Sequence, residues 1–569
     1  MDARSQSQAA IHPSFRWILL ARWGMPLLGV AMLALIACGE ASEPAPALDQ
    51  SATATASPTQ AVASPVPPSP TPVSTPSPRS ATRPTQAVVS PVTASPAPAS
   101  TPAARPEPEP TKTQSPTPTP EPTTPPESTA VVCAELVNET RWLSKEFWVG
   151  ATLADVQAAL NCGASVTVTD GRGLTPLHHA AALSIEPAVV AALLEFGANV
   201  SSKSRPGLTP LHVAALSNSE PKVLAVLIDY GADPNARSDG GWTPLHTAAL
   251  YGGQPEALSV LVKRGADLEA RDDRTLTPLL LAATAGELPT MVALLHRLGA
   301  DPEARSDHGF TALHWAAGFH PKPAMVMALL DLGVDVEAKA ADGITPLHWA
   351  VTFNNEPAVV HALLERGANL EARAVEQVTP LHLALAYEAD PELVELMIGR
   401  GANLEARAEG GITPLHAAAE LEDPVYAQLL LEAGADLEAR DDDDWTPLHF
   451  AANVEALAVV KLLLDAGADL EARDEDDWTP LHFAASGETL AVVQLLLDSG
   501  ADLEARDKDS WSPLHFAAYF GSADVVALLL ERGADLEAED NDGATPLDLA
   551  LAAGNRATAQ VLEEHAAGT

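Results

Sequence analysis

Residues 445–467 read WTPLHFAANVEALAVVKLLLDAG, and this stretch contains the signals of a two-helix unit. Thr446 followed by Pro447 predicts a helix start, because a hydroxyl caps the first backbone N–H groups and proline suits the first helical position. The apolar stripe from Val459 to Leu464 predicts a second helix, and Gly467 suits a left-handed cap at its end. The stretch therefore predicts two short helices joined by a loop.

This unit recurs along the chain with a nearly constant period. The tetrapeptide Thr-Pro-Leu-His begins at Thr175, Thr209, Thr243, Thr345, Thr379, Thr413, Thr446 and Thr479. Near-copies begin at Thr277, Thr311, Ser512 and Thr545. The first seven spacings are 34 residues and the last four are 33. The longer copies carry their extra residue between the two helices, where an insertion leaves the stacking face unchanged.

The motif, its period and the Gly-Ala-Asp or Gly-Ala-Asn that closes ten of the twelve units resemble the ankyrin-repeat family. The resemblance covers residues from about 136 to 565, and residues 151–164 align with the second half of a unit. It implies an all-α ankyrin-repeat solenoid, with a helix-turn-helix and a finger hairpin in each of about 12 full repeats. We expect an N-terminal capping partial repeat over 131–170 and the array with its C-terminal cap over 171–569.

The first 37 residues are expected to be a targeting segment. Arg4, Arg16 and Arg22 precede an apolar run that ends in Leu35-Ile36-Ala37-Cys38. This pattern resembles the signal peptide and lipobox of bacterial lipoproteins, which implies that Cys38 is the lipidated first residue of the mature protein. The alternative is a single transmembrane anchor from about Trp17 to Ala37. Either prediction places the remaining chain on the extracytoplasmic side of a cell membrane.

Residues 38–130 have the composition of a linker. Between residues 41 and 130 lie 24 of the 49 prolines, with no glycine and no aromatic residue. Such a segment has too little apolar surface to form a core, so we predict a disordered tether rich in polyproline II.

The net charge of -43 is concentrated in the repeats, because residues 131–569 carry -42 of it. A domain this acidic is repelled by phosphate groups, so the sequence argues against nucleic-acid binding and against docking on an anionic lipid surface. The same field favours a basic protein partner. We expect a monomer anchored to the membrane only through its N-terminus.

The polar residues that recur give no catalytic pattern. Ten of the 17 histidines occupy the motif position, and the family resemblance implies a structural role in which they bond to threonine and to backbone. Asp441–Asp444 and residues 474–477 are predicted to be solvated hairpin tips, with weak cation binding as the alternative. Glu and Arg recur two residues apart, as in Glu438 and Arg440, and predict an exposed ionic ladder. We therefore expect no enzyme activity, no cofactor and no metal site.

The candidate partner-binding residues are large aromatics on what the resemblance implies is the concave face. They lie directly before the tetrapeptide or just after the Ala-Ala pair of the first helix. They are Trp242, Tyr251, Phe310, Phe319, Phe353, Tyr387, Trp445, Trp478, Trp511, Tyr519 and Phe520. Exposed aromatics of this kind form binding hot spots. Trp445, Trp478 and Trp511 could instead stack on one another and stiffen a passive structural stalk that has no dedicated partner.

The two remaining cysteines flank the partial repeat. Cys133 and Cys162 would meet oxidising conditions outside the cytoplasm, which favours a disulfide that staples the weakest end of the array. The alternative is two unpaired thiols.

Overall fold

The computed structural model describes Cys133 and residues 137–568, apart from residues 219, 252–253, 286–287 and 488–489. The predicted signal peptide, Cys38 and the linker lie outside the described residues. The described part contains 27 α-helices and no β-strand, as expected of an all-α solenoid. None of these helices combines the length and the apolar character needed to cross a bilayer.

Each of the twelve repeats contributes a first helix that starts within the repeated motif Thr-Pro-Leu-His or a variant of it. The first helices are Pro176–Leu183, Pro210–Ser217, Pro244–Leu250, Pro278–Ala285, Ala312–Phe319, Pro346–Trp349, Pro380–Ala386, Pro414–Ala419, Pro447–Asn453, Pro480–Ser486, Pro513–Phe520 and Pro546–Ala553. The helix at Pro346–Trp349 continues as a π-helix over Ala350–Asn354. Proline at the first helical position sets eleven of these starts and Ala312 takes its place in one, while a threonine or serine precedes all twelve.

A second helix then runs back beside the first. The second helices are Pro187–Glu195, Lys222–Asp229, Pro255–Lys263, Pro289–Leu298, Ala324–Asp331, Pro357–Glu365, Pro391–Gly399, Val425–Glu432, Leu457–Asp465, Leu490–Asp498, Ala523–Glu531 and Arg556–Gly568. First helices pack against first helices of neighbouring repeats, and second helices against second helices. The hairpins between repeats contain 3-10 turns at Ala341–Gly343, Val375–Gln377 and Glu409–Gly411.

A continuous core runs between the two helix layers. In a typical repeat, Leu448, Ala451, Val459, Val460 and Leu463 are buried. These are the leucine of the tetrapeptide, an alanine of the first helix and the apolar stripe of the second. Because eleven of the twelve repeats bury all five equivalent positions, and the last leaves only Leu547 partly buried, the core has no boundary inside the array.

The motif histidines join one repeat to the next. The Thr446 backbone N–H donates to His449 Nδ1 at 3.0 Å, so the ring proton is on Nε2, which donates to the Trp478 carbonyl oxygen at 3.2 Å. Burial lowers the pKa of His449 to about 3 and keeps the imidazole neutral. The structural role predicted for these histidines is therefore confirmed.

Hairpin tips need a left-handed residue, and aspartate supplies it in two repeats. Asp444 and Asp477 both have φ of 64°, where Gly343 has 78° in another repeat. Aspartate is among the few residues with a side chain that tolerate this conformation. Aspartate therefore takes the place of glycine at these two tips.

The Glu and Arg columns bond mainly to backbone groups, and one pair of the exposed ionic ladder that the sequence suggests is present, with 3.7 Å between Arg506 Nη2 and Glu504 Oε2. Glu438 Oε1 accepts the backbone N–H of Asp469 in the next repeat at 2.8 Å, and Arg440 Nη1 donates to the Arg473 carbonyl oxygen at 2.7 Å. The same contacts recur along the array, for example Glu471 with the N–H of Asp502 at 2.7 Å. The hairpins present backbone groups to their neighbours, and these groups bind most of the charged side chains of the two columns.

The N-terminal cap is formed by Glu139–Trp142, Lys145–Gly150 and Leu153–Asn161. Trp142 and Trp148 are buried in it, with ring centroids 4.9 Å apart, and Trp148 Nε1 donates to the Trp142 carbonyl oxygen at 2.7 Å. A disulfide joins Cys133 to Cys162. The cap thus covers the first repeat with aromatic surface and ties the incoming chain to the third helix.

Candidate partner-binding face

The eleven aromatic residues predicted to bind a partner differ widely in exposure. Phe310, Trp445 and Trp511 are buried, with 4%, 4% and 7% of their surface exposed, while Phe520 is 37% exposed. The other seven are partly buried: Trp242, Tyr251, Phe319, Phe353, Tyr387, Trp478 and Tyr519. We call these eleven residues the aromatic face. The expectation of exposure is wrong for Phe310, Trp445 and Trp511.

The burial of Trp445 has a specific cause in the next repeat. Its ring lies 4.3 Å from that of Phe483 and 5.3 Å from that of Phe450 in its own repeat, measured between centroids. Trp478 repeats the arrangement, at 4.8 Å from Phe516 and 5.2 Å from Phe483. The tryptophans therefore do not stack on one another, because a phenylalanine separates each one from the next.

These intervening aromatics belong to the site but are missing from the sequence prediction. They occupy the position directly after the motif histidine and are Trp315, Trp349, Phe450, Phe483 and Phe516. The signal was present, since an aromatic follows Leu-His in five repeats. By itself, however, a position on the first helix indicates ordinary core.

A second aromatic group lies near the middle of the array. Trp349 has ring centroids 4.2 Å from Phe310 and 4.5 Å from Phe353, and Phe319 lies 6.5 Å from Phe353. The Trp349 ring also covers Gly318 so closely that a Cβ there would lie 2.3 Å from its Cδ1. One repeat further on, burial raises the pKa of Tyr387 to about 12.

Three of the four tryptophans of the aromatic face donate their indole N–H to an aspartate of the next hairpin. Trp242 Nε1 donates to Asp272 Oδ2, and Trp478 Nε1 donates to Asp507 Oδ2, both at 3.1 Å. Trp511 Nε1 makes the same bond to Asp540 at 3.1 Å. The other carboxylate oxygen accepts two backbone N–H groups, as Asp507 Oδ1 does from Asp509 and Trp511.

This arrangement corrects the picture of the acidic runs as wholly solvated tips. Asp441 and Asp474, the first residues of their runs, are buried, whereas Asp442, Asp444, Glu475 and Asp476 are exposed. Burial raises the pKa of Asp474 to about 7 and that of Asp507 to about 6. A buried first aspartate therefore shapes each hairpin, and the following acids carry the negative charge outward.

The charge near the hairpin tips is only partly compensated within the protein. Arg407 Nη2 lies 2.8 Å from Asp442 Oδ1, and Arg237 Nη2 lies 2.9 Å from Asp273 Oδ1. Both pairs are about half exposed, so each contributes little to stability. Within the described part of the chain, no three His, Cys, Asp or Glu residues are grouped so that they could hold a metal ion.

Stacked helix pairs linked by hairpins define a repeat solenoid of the class that presents one long surface to other molecules. The family model described as Ankyrin repeats (3 copies) matches ten overlapping segments, from 150–238 through to 481–568. The chain belongs to the ankyrin-repeat family, whose members generally mediate protein–protein interaction. Among curated proteins, none is similar enough to the chain to count as a match.

Proposed function

We propose that this chain is a membrane-anchored, extracytoplasmic ankyrin-repeat protein that binds a basic protein partner on its aromatic face. The observation that carries this proposal is the combination of partly exposed aromatic rings with exposed carboxylates at the adjoining hairpin tips. Trp478, for example, is partly exposed. It ends the hairpin that carries Glu475 and Asp476, and its indole bonds to the next hairpin, which carries Asp509. Aromatic anchors give affinity, and the negative field selects cationic partners and speeds their association.

The partner-binding part is tested with a nine-residue arginine peptide and a nine-residue glutamate peptide as control. We expect the arginine peptide to bind the full chain and its association rate to fall steeply between about 20 mM and 150 mM salt, as screening shortens the reach of the field. An association rate that does not respond to salt, or equal binding of the glutamate peptide, would contradict the basic-partner proposal.

The aromatic contribution is tested separately at residues that are not needed for the core. Phe520 is the most exposed residue of the aromatic face. Phe520→Ser should therefore weaken the binding of a partner that contacts the C-terminal repeats, without unfolding these repeats. Leu551 is similarly exposed on the neighbouring first helix and lies outside the aromatic face, so Leu551→Ser is the matched control. Equal losses in the two variants would argue for general apolar contact rather than for the aromatic face.

The anchoring part of the proposal rests on the lipobox-like sequence that ends at Cys38. Two acyl chains on this cysteine would suffice for stable attachment, whereas one would give only marginal binding. Metabolic labelling with a fatty-acid analogue should label the natural chain and not Cys38→Ala. Labelling that persists in Cys38→Ala, or membrane attachment with an uncleaved N-terminus, would favour a transmembrane anchor instead.

A passive stalk is the second candidate, and one observation favours it. Trp445 and Trp511 are buried between repeats, so part of the aromatic content stabilises the array rather than facing a partner. A stalk of the same charge would bind the arginine peptide through charge alone, so Phe520→Ser and Leu551→Ser would both leave that binding unchanged. The two serine variants therefore distinguish the two functions.

A further inference from the structure

One tryptophan of the aromatic face already has an arginine over its ring. The guanidinium carbon of Arg274 lies 5.9 Å from the ring centroid of Trp242, a distance at which cation–π attraction operates. Arg274 Nε also lies 3.4 Å from Asp272 Oδ2, the same oxygen that accepts the Trp242 indole N–H. The ring, the carboxylate and the guanidinium form one compact group across a junction between repeats.

The junction at Trp478 has the same tryptophan–aspartate hydrogen bond but no arginine at the equivalent position. Trp478 Nε1 donates to Asp507 Oδ2 at 3.1 Å, and Asp507 Oδ1 accepts the backbone N–H of the residue two positions on. In the Trp242 junction the residue two positions after the aspartate is Arg274, and here it is Asp509. An anionic side chain thus stands where the array elsewhere supplies its own cation.

The two aspartates also differ in exposure. The Asp272 side chain, next to Arg274, has 0% of its surface exposed. Asp507 is partly exposed, and so is the Trp478 ring. Both the ring and the carboxylate of the Trp478 junction are therefore accessible to solvent.

The cations near this junction are directed elsewhere. Lys508 Nζ donates to the Glu475 carbonyl oxygen, and Arg506 Nη1 donates to the Ser510 carbonyl oxygen at 2.8 Å. The carboxylate of Asp509, on the same hairpin, lies near Asp507. Burial and the nearby Asp509 raise the pKa of Asp507 to about 6.

Two other junctions repeat the residue types but are more closed. In the hairpin after Trp445 the equivalent residues are Asp474 and Asp476, and in the hairpin after Trp511 they are Asp540 and Asp542. Both of these tryptophans are buried, however, whereas Trp478 is partly exposed. Of the three acidic junctions, that of Trp478 has the most accessible ring.

We infer that Trp478, Asp507 and Asp509 form a subsite for one arginine side chain of the basic partner, in the position that Arg274 takes at Trp242. The planar guanidinium suits this site because it lies on an aromatic ring and donates to carboxylates at the same time. The inference rests on the proposed function and names the chemical group of the partner that the aromatic face recognises.

The probe is acetyl-arginine amide, with acetyl-citrulline amide as its neutral isostere. It is titrated into the full chain while the indole N–H signals are followed by NMR, with Trp478→Phe to assign the relevant signal. We expect the arginine compound to shift the Trp478 signal saturably and the citrulline compound to leave it nearly unchanged. Equal shifts from both compounds would overturn the subsite.

Two exchanges between the junctions make the test specific. Asp509→Arg gives the Trp478 junction its own cation, so binding of the probe there should weaken by about three- to thirtyfold, while Asp509→Asn should weaken it less. Arg274→Asp opens the other junction, so the saturable shift should appear at the Trp242 indole signal. Full binding by Asp509→Arg, or no new shift at Trp242 in a folded Arg274→Asp chain, would contradict the inference.

Failure of this subsite and failure of the proposed function give different results. If the nine-residue arginine peptide still binds with strong salt dependence while Asp509→Arg has no effect, a basic partner stands and the arginine subsite does not. If the peptide does not bind the natural chain at all, the basic-partner proposal fails as well.

Discussion

Glu438 accepts the backbone N–H of Asp469 in the next repeat, with 2.8 Å between Oε1 and the nitrogen. The bond spans a junction between hairpins and recurs wherever the motif carries this glutamate. The donor is a main-chain N–H, so the bond does not depend on which side chain stands at position 469.

We predict that Glu438→Ala lowers the free energy of unfolding by about 0.5–1.5 kcal/mol, the usual net contribution of a hydrogen bond. Glu438→Gln keeps an oxygen that accepts the N–H and should cost less than half as much. Urea unfolding followed by circular dichroism measures both. Equal effects of the two substitutions would mean that charge, rather than the bond to Asp469, matters at this position.

The buried histidines should make the array sensitive to acid. Burial lowers the pKa of His449 to about 3 and that of His382 to about 4, against about 6.5 in an unfolded chain. Between these values the unfolded chain binds more protons, so stability is fully present above pH 6.5 and is lost as the pH falls toward 4. Asp474 acts in the opposite direction, because its raised pKa gives stability that is lost as the pH rises through about 7.

Because ten motif histidines act together, we expect the melting temperature to fall between pH 7 and pH 4.5. His449→Gln should also lower stability at pH 7 by about 1–3 kcal/mol, since it leaves buried partners unsatisfied. His308→Gln, at an exposed hairpin position, is the control and should leave the melting temperature unchanged at pH 7. A melting temperature that is flat from pH 7 to pH 4.5 would refute the role of histidine burial.

Gly318 should not tolerate a side chain. A Cβ there would lie 2.3 Å from Trp349 Cδ1 and 2.4 Å from its Nε1, so the buried indole would have to move. We predict that Gly318→Ala lowers the free energy of unfolding by about 1–3 kcal/mol, as overpacking does in other cores. Gly399→Ala is the matched control, because that helical position has no atom within 4 Å of the added carbon. Equal stability of the two variants in urea would show that the indole moves at no cost.

The disulfide should stabilise the N-terminal end of the array. In the chain-entropy model, a loop closed by cysteines 29 residues apart contributes about 3–4 kcal/mol. We expect non-reduced mass spectrometry to show Cys133 linked to Cys162. Reduction should raise hydrogen exchange around Trp142 and Trp148 while leaving the central repeats protected. Two free thiols in the native protein would contradict the pairing.

The sequence predicts the repeats because each local signal recurs at a fixed spacing. Thr446 and Pro447 start a helix for reasons contained in a few residues, and His449 follows at the distance that lets its ring return to the threonine. These contacts are local in the chain, so their pattern is visible without a structure.

The character of the aromatic face could not be predicted in the same way. The burial of Trp445 depends on Phe483, which lies in another repeat and approaches the ring only after stacking. The distinction between buried Asp474 and exposed Asp476 likewise arises from the turn that the hairpin makes around one carboxylate. Exposure is a property of the junction between units, whereas the sequence pattern describes a single unit.

Trp478 takes its carboxylate partner from the following repeat, so the smallest complete recognition element is a pair of neighbours. An internal duplication of 33 residues would add one such pair, and a deletion of the same length would remove one, without disturbing the others. The number of recognition elements can therefore change in evolution by whole steps while the fold stays the same. Unequal recombination alone can therefore change the length of the ligand that such a chain is able to bind.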